Sequence, residues 1–123
     1  MIVDPRLKQG FELFNRREFF ESHEVVESLW RAANDEYRDF YKGLIQAAAA
    51  FHHLRRGKFS AARGLFETSI GYLSGYSSPA LGLNLDKLVR DLTRCLRMIP
   101  ELAQEKGRSL PKAFIPTLEF CVD

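Results

Sequence analysis

Apolar residues recur every three or four positions along most of the chain, and no stretch alternates apolar with polar residues convincingly enough to be a strand. That period points to an all-α fold. Pro5 suits a first helical position, ahead of Leu7, Phe11 and Phe14, and this helix ends near Asn15. A second helix is expected from about Glu18 to Ala33, with Phe19, Val26 and Trp30 on one face. Asn34 and Asp35 break the pattern and can cap a third helix. That helix, about Glu36 to Arg56, carries Phe40, Leu44, Ala47, Phe51 and Leu54 on one face, and its alanine run is a strong helix former. Gly57 stops it, and a fourth helix runs from about Phe59 to Leu73. The segment SGYSSPALGL reads as a loop, with Asn84 as N-cap of a fifth helix to about Lys106 that Pro100 should kink or divide. Residues 107–123 contain two prolines and are expected to lie extended against the helices.

Five helices with short connections make an antiparallel bundle or two stacked helical hairpins, with Trp30, Phe40, Leu44, Phe51 and Phe66 in the core. At 123 residues the chain is expected to be one domain, 1–123, with helices to 106 and the tail beyond. Hydrophobic residues at 46% and charged residues at 28% exclude a disordered chain. No apolar run approaches the roughly 20 residues of a membrane span, and MIVDPRLKQG lacks the apolar centre of a signal peptide. Cys95 and Cys121 have no metal-ligand spacing and are expected to be reduced thiols in a cytoplasmic protein.

A shift of 40 residues lays Phe11 on Phe51, Arg16 on Arg56, Phe19 on Phe59 and Glu27 on Glu67. Each copy reads as helix, short basic turn, helix, whether by duplication or by shared helical patterning.

The densest polar constellation lies in FFESHEVVESLWR. His23 and Glu27 sit one helical turn apart and flank the stripe of Phe19, Val26 and Trp30, while Glu21, Glu24 and Ser28 point toward solvent. On the third helix Gln46 and His53 share one flank, with the small residues Gly43 and Ala50 between them in angle. Packing of the second helix against the third would bring His23, Glu27, Gln46 and His53 into one semi-buried pocket, with Trp30 and Glu24 at its margin. Three readings stay open: a hydrogen-bonded network that sets packing register, a ligand or acid–base pocket, and a divalent metal held by His23, Glu27 and His53. No cofactor motif, Gly-rich phosphate loop or nucleophile elbow is present in the sequence.

The runs FNRREFFESHEVVESLWR, FYKGLIQAAAAFHHLRRGKFSAARGLFE and GLNLDKLVRDL, in that order, resemble domain-of-unknown-function family 309, small all-helical proteins of bacteria and plastid-bearing lineages. The resemblance covers about Phe14 to Leu92 and rests on Asn15, Glu21, His23, Glu24, Glu27 and Trp30, then Gly43, Gln46, His53 and Gly57. Lys58 stands where many members carry Asn. The resemblance implies a helical bundle and implies no activity.

The second constellation is basic. Arg16 and Arg17 sit in one turn and Arg55, Arg56 and Lys58 in the other, with Arg63 one turn into the fourth helix. Stacked hairpins would pool these cations at one end, as a site for phosphate, RNA backbone or an acidic partner, or as a solvated surface. Lys87, Arg90, Arg94 and Arg97 form a further stripe, opposite the apolar face of the fifth helix and expected to be solvated. A net charge of +2 and the lack of interleaved aromatics argue against a nucleic-acid platform. A non-catalytic binding or scaffold module that engages a protein or anionic partner therefore ranks first. An enzyme or metal-binding protein built on the His/Glu/Gln set ranks second.

Overall fold

A computed structural model describes residues 3–105 and 109–119. The expected helical Lys106, the outer parts of the tail and Cys121 lie outside the described residues. Five helices run in order: α1 (Pro5–Asn15), α2 (Phe19–Ala32), α3 (Arg38–Arg55), α4 (Phe59–Leu73) and α5 (Leu85–Gln104), with a single 3₁₀ turn at Lys112–Phe114. No strand occurs among the described residues. Each helix from α1 to α5 packs on the next, so the fold is an all-α bundle of two helical hairpins, α1–α2 and α3–α4, and then α5.

The two hairpin turns share one main-chain pattern. Arg16 and Arg56 end their helices, Arg17 (φ 66°) and Gly57 (φ 71°) are left-handed, and Glu18 and Lys58 open the next helix. Glu18 N–H donates to Leu13 O and Lys58 N–H to His53 O, while Arg17 N–H reaches Phe14 O and Gly57 N–H reaches Leu54 O. These are two Schellman turns displaced by 40 residues. Glycine adopts this backbone freely, whereas an L side chain at Arg17 costs about 1–2 kcal/mol.

Within each hairpin one glycine sets the approach distance. A Cβ on Gly10 would meet Val26 Cγ2 at 2.5 Å, and one on Gly43 would meet Leu73 at 2.7 Å. A serine one helical turn earlier on the partner helix donates to the same glycine's carbonyl: Ser22 to Gly10 at 2.8 Å, Ser69 to Gly43 at 2.7 Å. Both serines are buried, and the bond removes the desolvation cost of the hydroxyl. Gly43 thus serves the approach of α4. Gly64 and Gly71 face open space.

Phe14, Phe19, Phe51 and Phe66, one from each of α1 to α4, form a connected aromatic column with ring centroids 5.0–5.8 Å apart. Phe40, Leu44, Phe51 and Phe66 are core as the spacing predicts, but Trp30 is only partly buried. Its ring is instead a platform for Arg38 at 4.2 Å and Lys42 at 4.6 Å, which favour the ring face.

α5 runs undivided through Pro100. Its apolar face (Leu85, Leu88, Leu92, Cys95, Ile99 and Leu102) is buried on both sides of that residue, and Pro100 itself faces solvent. Packing outweighs the lost backbone bond. Asn84 accepts from Lys87 N–H as expected, and Ser78 Oγ accepts from Leu85 and Asp86 N–H. The described tail is held at four points, one of them the bond from Asn84 N–H to Glu119 O at 3.0 Å. Asn15 makes a two-way bridge with the main chain of Leu118, Arg17 donates to the carbonyls of Ile115 and Pro116, and Cys95 Sγ donates to Phe114 O.

Candidate functional site

Antiparallel packing of α2 on α3 brings His23 beside His52 and His53. With Phe20 and Ala49 these line a cleft of about 210 Å³. The chain has three histidines, and all of them line it. Phe20 is half exposed and stacks on His23 (centroids 6.2 Å, 25° between planes) and against His52 (5.6 Å). His23 Nε2 lies 3.3 Å from Glu27 Oε2, and the other oxygen of Glu27 takes Arg31. The Nδ1 atoms of His23 and His53 and the Oε1 of Gln46 are buried without a hydrogen-bond partner among the described residues.

The sequence-derived set is therefore split. His23 and His53 meet at the cleft, and Glu27 orients His23 from one turn away. Gln46 sits two turns before His53, outside the cleft lining. Glu24 is exposed, and Trp30 belongs to the Arg38–Lys42 stack. Among the described residues, no three His, Cys, Asp or Glu side chains are grouped so as to hold a metal ion. His52 and Phe20 are the additions. Each directly adjoins a singled-out neighbour: Phe19 points into the core and Phe20 to the cleft, and His52 and His53 both line it. Burial, and then the charges of His53, Arg56 and His23, pull the His52 imidazole below its usual range, and Glu21 opposes this.

The two basic turns do lie at one end. Arg55 donates to the carbonyl of Arg17 at 2.6 Å, and the guanidinium of Arg55 lies 5.1 Å from the centre of the Phe19 ring. Arg16, Arg17, Arg55 and Lys112 line a cleft of about 460 Å³ whose apolar floor includes Leu54, Leu110 and Ile115. No acidic residue is among its described lining. Burial and then the charge of Arg55 lower the Arg17 pKa. Arg16 also pairs with Glu18; of the remaining cations, Arg63 pairs with Glu67, while Arg56 and Lys58 are exposed in the second turn. On α5, Lys87 and Arg94 both pair with Asp91, and Arg94 also covers the ring of Phe114.

Fold and clefts together define a helical-hairpin bundle with a basic end. Residues 7–65 match the family model described as a domain of unknown function (DUF309), so the resemblance carried by the motifs holds over that segment. The chain is 26% identical over 83 residues to an uncharacterized protein of Aquifex aeolicus (strain VF5), a stretch that is 67% of this chain and 25% of that protein. It is 29% identical over 103 residues to the uncharacterized protein YpuF of Bacillus subtilis (strain 168), covering 81% of this chain and 59% of YpuF. The matched region is thus less than two thirds of either relative's length. No helix among the described residues is long and apolar enough to cross a membrane.

Proposed function

We propose that the chain is a non-catalytic binding module whose basic end grips an acidic segment of a partner protein. The observation that carries this is the meeting of Arg17 and Arg55 beside Arg16 and Lys112 in a cleft whose described lining has no carboxylate. Like charges held together in a partly desolvated place are relieved by an anion. The apolar floor suits a peptide with alternating acidic and apolar residues better than a phosphodiester backbone. Nucleobases would need exposed rings to stack on, and Phe51 is buried. The test is binding of a labelled poly-L-glutamate and of a single-stranded oligonucleotide of matched charge, each at rising salt. Arg16→Ala and Lys112→Ala should each weaken poly-L-glutamate binding several-fold, since neither side chain holds the fold. Tighter binding of the oligonucleotide, or no effect of either substitution, overturns the reading.

The convergence of all three histidines favours a second reading, an acid–base pocket at the α2–α3 cleft with His23 oriented by Glu27. Hydrolysis of p-nitrophenyl acetate well above the rate of free imidazole, abolished by His23→Asn, is the outcome that would place it first.

A further inference from the structure

One wall of the basic cleft is made by the tail, through Ser109, Leu110, Lys112 and Ile115. Among the described residues, no hydrogen bond ties residues 109–113 to a helix. The bonds from Phe114 N–H to Pro111 O and from Ile115 N–H to Lys112 O stay within the tail's own 3₁₀ turn. Leu110 adds an apolar contact with the core. The polar part of the wall, Lys112 above all, is therefore placed by the anchors that follow it, between Phe114 and Glu119.

We propose that Asn15 and Arg17 are positioning residues that dock the tail as a strap, and that an acidic ligand in the basic cleft and the docked strap stabilise each other. This rests on the reading of the basic end as a site for an acidic segment.

Asn15 lies outside the lining of the cleft. Its Nδ2 donates to Leu118 O at 2.9 Å and its Oδ1 accepts from Leu118 N–H at 2.7 Å, so its amide is spent wholly on the tail. Arg17 works on both sides. It lines the cleft, and its two terminal nitrogens donate to Pro116 O at 2.8 Å and Ile115 O at 3.1 Å. Burial and then the charge of Arg55 work against the cation at the very place where it grips the tail. An anion beside the two guanidiniums offsets that repulsion and favours the docked position of Arg17. Docking in turn brings Lys112 to the anion. Such coupling is reciprocal: the factor by which the ligand favours docking is the factor by which docking favours the ligand.

The experiment measures amide hydrogen exchange of residues 112–118 in the whole chain, free and saturated with poly-L-glutamate, and the affinity of each variant for the same polymer. Saturation should slow exchange in this segment by about fivefold or more while α4 is unchanged. Asn15→Ala should weaken poly-L-glutamate several-fold from outside the cleft, because apparent affinity falls with the docked fraction. In the Asn15→Ala background Lys112→Ala should add little, since the strap has already taken Lys112 from the site, whereas an Asn15 that only stabilises the fold leaves the losses additive. Exchange in the parent chain needs no variant, and it decides the proposal even if Asn15→Ala does not fold. A parent chain that does not bind poly-L-glutamate overturns the binding reading and the strap with it. Binding without slower exchange at 112–118, undiminished binding by Asn15→Ala, or additive losses overturns the strap alone.

Discussion

The guanidinium of Arg55 donates to the main-chain carbonyl of Arg17, and Arg17 in turn donates to the carbonyls of Ile115 and Pro116. The relay runs from α3 through the first turn to the tail and explains why a left-handed position carries arginine where its 40-residue counterpart carries glycine. Arg17→Gly removes about 1–2 kcal/mol of backbone strain but gives up two bonds from a charged donor worth about 1.5–3 kcal/mol each. A net loss of about 1–5 kcal/mol is expected, checked by chemical denaturation. Hydrogen exchange should show residues 115–118 opening first. Greater stability with an unchanged tail would contradict the relay.

Asn15→Ala acts on the same tail from the other side. It strands the N–H and C=O of Leu118, both now bound by one side chain at 2.7 and 2.9 Å, and should cost about 1–3 kcal/mol. Combined with Arg17→Gly the losses should be non-additive, because either change alone frees the segment.

Helix positions were legible because the apolar period and the breakers Gly57 and Asn84 act locally. The observed ends fall within two residues of those expected from the sequence. What stayed hidden depends on contacts between distant residues. Nothing near Arg17 says that its side chain spans to Pro116, so the five turn cations read as equally free, whereas two are engaged by main-chain carbonyls. Trp30 shares a stripe with Val26, but α2 ends at Ala32, and near that end the ring packs only partly against the core and takes Arg38 and Lys42 on its face. The pocket was half legible. His23, Glu27 and His53 declare themselves by helical spacing, while His52 and Phe20 depend on how far α2 rotates against α3.

Gly43→Ala tests the second hairpin. The added methyl meets Leu73 at 2.7 Å, and Ser69 holds the carbonyl of the same residue at 2.7 Å, so α4 cannot retreat without losing a buried bond. Overpacking of this kind costs about 1–3 kcal/mol, read as a lower melting temperature. Leu73→Ala in the same background should recover part of the loss from Gly43→Ala, although on its own it destabilises.

Burial pushes the Cys95 thiol up to about 12, and the reactive thiolate is accordingly scarce at neutral pH. Iodoacetamide at pH 8 should leave Cys95 unmodified in the folded protein and alkylate it in guanidinium chloride, as mapped by peptide mass. Rapid labelling of the native protein would contradict its burial against the tail.

His52 makes stability depend on pH, and the sign is set by its environment. Its folded-state pKa lies below the ordinary 6.5, chiefly through burial and then through His53, Arg56 and His23, with Glu21 opposing. Above 6.5 the imidazole is neutral in both states and adds no pH dependence. As pH falls from 6.5 toward the folded-state value, the unfolded chain takes up a proton that the folded chain resists, so stability declines through that window. Below the folded-state value both states are protonated, and the loss is complete. Melting temperatures from pH 7.5 to 4.5 should fall less in His52→Gln than in the parent chain. The difference should appear only below 6.5 and should shrink in Arg56→Ala, where one of the repelling charges is gone. Parallel curves for the parent and His52→Gln would show that the imidazole is solvated in both states and that Phe20, His23 and His53 do not enclose it.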